Sequence, residues 1–148
     1  MAVAPEYFWG NRGVFNDDWA LASADEVSKT QEAVVEVSSA EILALNSSPK
    51  EIVPAPGADK VLDILSIVVE LDYGTTPYAT NTSGQFNFGG AGNFTLDLSF
   101  SADGILKLIP QAEVAAANTA LVLTEPSGDP TAGDSTLTVH VLYAVRDV

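Results

Sequence analysis

His140 is the only histidine in the sequence. A lone imidazole cannot supply a two-histidine metal site, and most general-base schemes built on imidazole lose a partner with it. Its neighbours Val139 and Val141 belong to an alternating apolar set that faces a core, so His140 is expected to point outward from a strand. Cysteine is absent, which removes disulfides, thiolate nucleophiles and cysteine-based zinc sites together.

Carboxylates are plentiful, at 20 aspartates and glutamates, and pairs of them could serve glycoside hydrolysis. A working pair needs one acid in an apolar pocket to raise its pKa, whereas most acids here stand beside turn formers, as at Asp17-Asp18, Asp129 and Asp134. Calcium could use Asn16-Asp17-Asp18, or Asp129 with Asp134, but neither set has the spacing of a dedicated calcium loop. These residues are expected to close turns through their own side chains. Gly89, Gly90 and Gly92 precede a strand and no Lys-Ser/Thr pair follows them, so they read as loop glycines and not as a phosphate cradle. Asn46-Ser47-Ser48, Asn81-Thr82-Ser83 and Asn93-Phe94-Thr95 fit the glycosylation pattern and read as polar loop segments. The expectation is a protein that is not an enzyme and carries no metal or cofactor.

The elements that must position these residues are strands. Short β-rich runs separated by Gly, Pro, Asn, Asp and Ser clusters begin near Val34, the spacing of an antiparallel sandwich or barrel. Strands are expected at 33–37, 41–45, 51–53, 61–73, 85–88, 94–100, 105–109, 120–123 and 135–145. Phe94, Leu96, Leu98 and Phe100 alternate with polar residues, as do Leu137, Val139, Val141 and Tyr143, giving each run one buried and one wetter face. The run from Val61 to Leu71 is apolar on both faces, as in a central strand covered on both sides or a strand at a subunit contact. Ile64, Ile67 and Val69 are therefore candidate interface residues. A short helix is expected at 111–118, after Pro110.

Residues 1–30 read as an irregular N-terminal arm ahead of an all-β domain over 31–148, an antiparallel sandwich of jelly-roll type. Tyr7, Phe8, Trp9 and Trp19 lie among turn formers in the arm, and such rings either fold back over a sheet or grip a neighbouring subunit. They join the candidate interface. The start, Met1 to Glu6, has no basic stretch ahead of an apolar run, and no segment stays apolar for the ~18 residues of a membrane span. A net charge of -14, from 20 acids against 6 bases, repels nucleic-acid phosphates and anionic lipids. Neither nucleic acid nor membrane is expected as a partner, whereas a basic protein surface is compatible.

Two features carry a family resemblance. Leu45, Asn46, Ser47, Ser48 and Pro49 lead into Pro54-Ala55-Pro56-Gly57 and the long run 61–73, and a tyrosine-bearing final strand spans 137–145. This succession resembles small virion structural proteins of tailed bacteriophages, the decoration or cement proteins. Residues 1–39 lie outside it. The resemblance implies a β-sandwich on the virion's capsid surface, a homotrimer bound to the major capsid protein that stabilises the shell. It implies no catalytic residue. The alternative from a different class is a tail, fibre or carbohydrate-binding sandwich whose exposed aromatics, Trp9, Trp19 or Tyr78, stack on sugar rings.

Overall fold

Alternation along the last strand sets the geometry of the whole domain. In the computed structural model, which describes residues 30–89, 93–109 and 116–148, Leu137, Val139 and Val141 are buried while Thr136, Thr138 and His140 face the other way. Eight strands are formed among the described residues: β1 (Thr30–Val37), β2 (Lys50–Val53), β3 (Lys60–Asp72), β4 (Ser83–Asn87), β5 (Asn93–Asp97), β6 (Gly104–Leu108), β7 (Leu121–Thr124) and β8 (Thr136–Asp147). One sheet has the order β1-β8-β3-β6 and the other β2-β7-β4-β5. The two antiparallel sheets pack face to face, and this strand order is that of a jelly roll.

Between the sheets, Ile67, Val69, Leu137, Val139 and Val141 of the first meet Phe86, Leu96, Leu121 and Leu123 of the second, all buried. Each such side chain contributes about 1.5–3 kcal/mol on removal from water.

The doubly apolar run of β3 has a local cause. Ile64 pairs with Tyr143 and Ser66 with the adjacent Leu142, leaving Leu65 as an extra, bulged residue. The bulge reverses the phase of the strand, so Leu62 and Ile64 before it, and Ile67 and Val69 after it, all reach the same core. This corrects the expectation that Ile64, Ile67 and Val69 form an interface. Each is buried against the domain's own second sheet, while the residues left on the outside of β3 include Asp63, Leu65, Ser66, Val68, Glu70 and Asp72.

The strand expected at 41–45 is instead a one-turn helix, α1 (Ser39–Ile42). Ser38 caps it: its side chain accepts from the Glu41 amide, and the Glu41 carboxylate accepts from the Ser38 amide. That Ser-x-x-Glu box favours a helical turn, and Ile42 and Leu45 then enter the core three residues apart, a helical and not a strand interval. β5 ends at Asp97, whose side chain turns back to accept from the amide and hydroxyl of Ser99. Of the helix expected at 111–118, residues 111–115 lie outside the described residues, and Ala117 and Asn118 form a turn. Among the described residues no helix is long and apolar enough to cross a membrane.

Candidate interaction surface

Tyr7, Phe8, Trp9 and Trp19, with Asn16, Asp17 and Asp18, lie outside the described residues. The remaining candidates divide between the rim of the sandwich and the outer face of the first sheet.

On the rim, the aspartates are spent on distant loops. One Asp129 carboxylate oxygen accepts from the amides of Asn46 and Ser47 at 2.8 and 2.9 Å. Asp134 accepts from the amides of Thr75 and Thr76, both at 2.8 Å, and from the Thr75 hydroxyl. These donors hold both carboxyls below their usual pKa. They do close turns, but turns roughly half the chain away and not their own. Among the described residues no group of three His, Asp or Glu side chains gathers to hold a metal.

The amides of Asn46 and Asn81 are likewise engaged, on the carbonyls of Glu125 and Asp129. Tyr78 is buried, and its hydroxyl donates to the Ser135 carbonyl, so its ring is not available to stack on a sugar. Glu125, which the sequence reading passed over, is fully buried at the end of β7. One of its oxygens accepts from the Ser127 amide, and the other has no partner among the described residues. Its signal in the sequence was its place directly after an apolar strand.

The two outer faces of the sandwich differ in chemistry. On the second sheet, cross-strand rows run Thr124, Gln85, Thr95 and then Ser83, Asp97, with hydroxyls, amides and a carboxylate. On the first, the rows are His140, Val68, Lys107; Thr138, Glu70, Ile105; and Leu142 beside Ser66. β1 adds Glu32, Val34 and Glu36 at its outward positions.

His140 is in the middle of this face, as expected for an outward residue. Its Nδ1 is 3.8 Å from Glu32 on β1 and its Nε2 is 3.5 Å from Glu70 on β3, so carboxylates flank it on both sides. Toward one end, Glu36, Glu70 and Asp72 line an open cleft of about 650 Å³ with Glu41, Thr136 and Thr138. Within it Glu41 pairs with Lys50, and that contact, with the hydrogen bonds from Ser38, lowers its pKa to about 2. Lys50 and Glu41 also border a second cleft of about 250 Å³ at the end of α1. The arrangement presents apolar and acidic groups side by side, suited to holding a surface of opposite charge. Compared with known proteins, the chain matches no protein-family model and no curated protein sequence.

Proposed function

We propose that this protein is a capsid decoration protein of a tailed bacteriophage, bound as a trimer to the outside of the shell and contacting the major capsid protein. The observation that carries the reading is that the residues of the family resemblance are framework residues of the jelly roll. Leu45 is buried, the Asn46 amide is bound to Glu125 at the end of β7, and the segment from Pro54 to Gly57 joins β2 to β3. Likeness at such positions is likeness of architecture, and jelly rolls are common among viral shell proteins. The acidic surface fits a partner of opposite charge and disfavours adsorption to packaged nucleic acid.

A trimer gripping several shell subunits gains avidity, so modest contacts add up to a clamp against outward pressure. The test is co-sedimentation of the purified full chain with empty shells assembled from the major capsid protein of the phage that encodes it. Saturable binding, with density at three-fold or quasi-three-fold positions in electron micrographs, is the expected result. Absence of co-sedimentation at both low and physiological salt would defeat the reading.

A further inference from the structure

Among the described residues, six large hydrophobic side chains are exposed, and four of them belong to the outside of one sheet. Val34 on β1 is 56% exposed, Leu65 at the β3 bulge 41%, Leu142 on β8 40% and Ile105 on β6 73%. Val68, half-buried, lies at the centre of these strands, paired with His140 on one side and Lys107 on the other. None of the six belongs to the outer face of the second sheet. Scattered exposed apolar residues are ordinary, but their segregation onto one face of a two-faced sandwich is the mark of a contact surface.

Charge on the same face is one-sided. Glu32, Glu36, Asp63, Glu70 and Asp72 project from it, against Lys107 and Arg146, and Arg146 is bound to Asp63 at 2.7 Å. A second copy laid on this face would bring carboxylate against carboxylate, whereas lysines and arginines would meet partners at their rim positions.

We propose that the outer face of the β1-β8-β3-β6 sheet is a docking surface for a protein partner that presents apolar side chains flanked by lysines and arginines. Val34, Leu65, Val68, Leu142 and Ile105 supply its apolar contacts, and Glu32, Glu36 and Glu70 select the basic flank. The inference deepens the capsid reading and rests on it for the identity of the partner, the major capsid protein.

Two probes test it separately from that reading. The first is a short synthetic peptide alternating leucine with lysine, titrated into the isotopically labelled full chain at physiological salt and followed by amide chemical shifts. A peptide alternating serine with lysine is its control. Perturbations should map to β1, β8, β3 and β6 at outward positions, and the leucine peptide should bind at least about 10-fold more tightly than the serine one, since each buried leucine contributes apolar transfer energy. Perturbations on the second sheet or the rim loops, or equal binding of the two peptides, would overturn the proposal. So would shifts at the same positions that grow with protein concentration alone, because the occupant would then be a second copy.

The second probe is the empty shell. Val34→Glu with Leu142→Glu should weaken shell binding by roughly 30-fold or more, the scale of losing a contact at the centre of an interface, while Gln85→Glu with Thr95→Glu on the opposite face should leave it unchanged. Equal binding by wild type and the Val34/Leu142 variant overturns the docking face even if shells are bound. Peptide mapping on the face with no shell binding by wild type defeats the capsid assignment and leaves the face standing. If the Val34/Leu142 variant does not fold, the peptide titration of wild type still decides.

Discussion

The phenol of Tyr78 donates a 2.6 Å hydrogen bond to the carbonyl of Ser135, fixing the loop after β3 to the residue that precedes β8. Both partners are buried, so removing the hydroxyl leaves a carbonyl with nothing to replace it. Tyr78→Phe is expected to cost about 1–3 kcal/mol in denaturant unfolding. Burial also raises the Tyr78 pKa to about 12, with the negative charge of Asp134 adding to the effect. The unfolded chain gives up this proton near pH 10, earlier than the folded one, so this contribution is complete below pH 10 and is lost as pH rises toward 12. Wild type should therefore lose stability faster than Tyr78→Phe across that interval, and parallel curves would refute the assignment.

At the acid end, Glu41 carries the opposite sign. Its hydrogen bonds to Lys50 and Ser38 hold its pKa at about 2, below the ordinary 4.5. The ionised form stabilises the fold above the higher value, and that contribution disappears as pH falls from 4.5 to 2. Asp97, Asp129 and Asp134, also lowered, add to the same slope. Glu41→Gln should flatten the acid limb of the stability curve without abolishing it. The difference should shrink at high salt, because the Glu41 side chain is partly exposed to solvent.

Leu65 is the extra residue that separates the two core phases of β3. Deleting it joins the two phases into one period-two alternation, in which Leu62, Ile64, Ile67 and Val69 still face the core and Ile64 and Ser66 keep Tyr143 and Leu142 as consecutive partners. The deletion is therefore expected to keep cooperative thermal unfolding, at a cost of about 1–3 kcal/mol for reshaping the local twist. Leu65→Ala, which keeps the bulge and trims a side chain 41% exposed, should change stability by less than about 1 kcal/mol. Loss of the cooperative transition on deletion would show that the core needs the bulge itself and not only the match of phase.

Two glycines with positive φ separate backbone strain from crowding. Gly57 has φ +105° and open space where a Cβ would stand, so Gly57→Ala should cost only the left-handed penalty of about 1–2 kcal/mol. Gly133 has φ +97°, and a Cβ there would fall into the ring of Tyr78. Gly133→Ala should cost about 2–5 kcal/mol, strain and overpacking together. Equal losses at the two positions would mean that the Tyr78 ring moves aside freely.

The sandwich was legible in the sequence because period-two alternation survives wherever a strand has one wet face, as at 94–100 and 136–141. The mistakes came where a local device overrode the pattern. The Ser38–Glu41 box made a helical turn of a segment rich in β-compatible residues, and one bulged leucine folded two phases of β3 into a single core. A run that looked apolar on both sides was in fact buried on one. The docking face was hidden for the same reason: its members come from four strands that are neighbours only in the sheet, and the order β1-β8-β3-β6 cannot be read from residue spacing. His140 was read correctly as outward, but the carboxylates on either side of it come from residues 108 and 70 positions away in the chain.

That strand order also governs how the domain can be made. β8 follows every other strand in sequence yet lies between β1 and β3 and pairs with β3 along twelve residues of their length. Until it arrives, β1 has no neighbour and the edge of β3 stands open. A nascent chain still held on the ribosome short of residue 136 thus carries a central strand paired only with β6, and closure of the first sheet is a late, single step and not a gradual accretion.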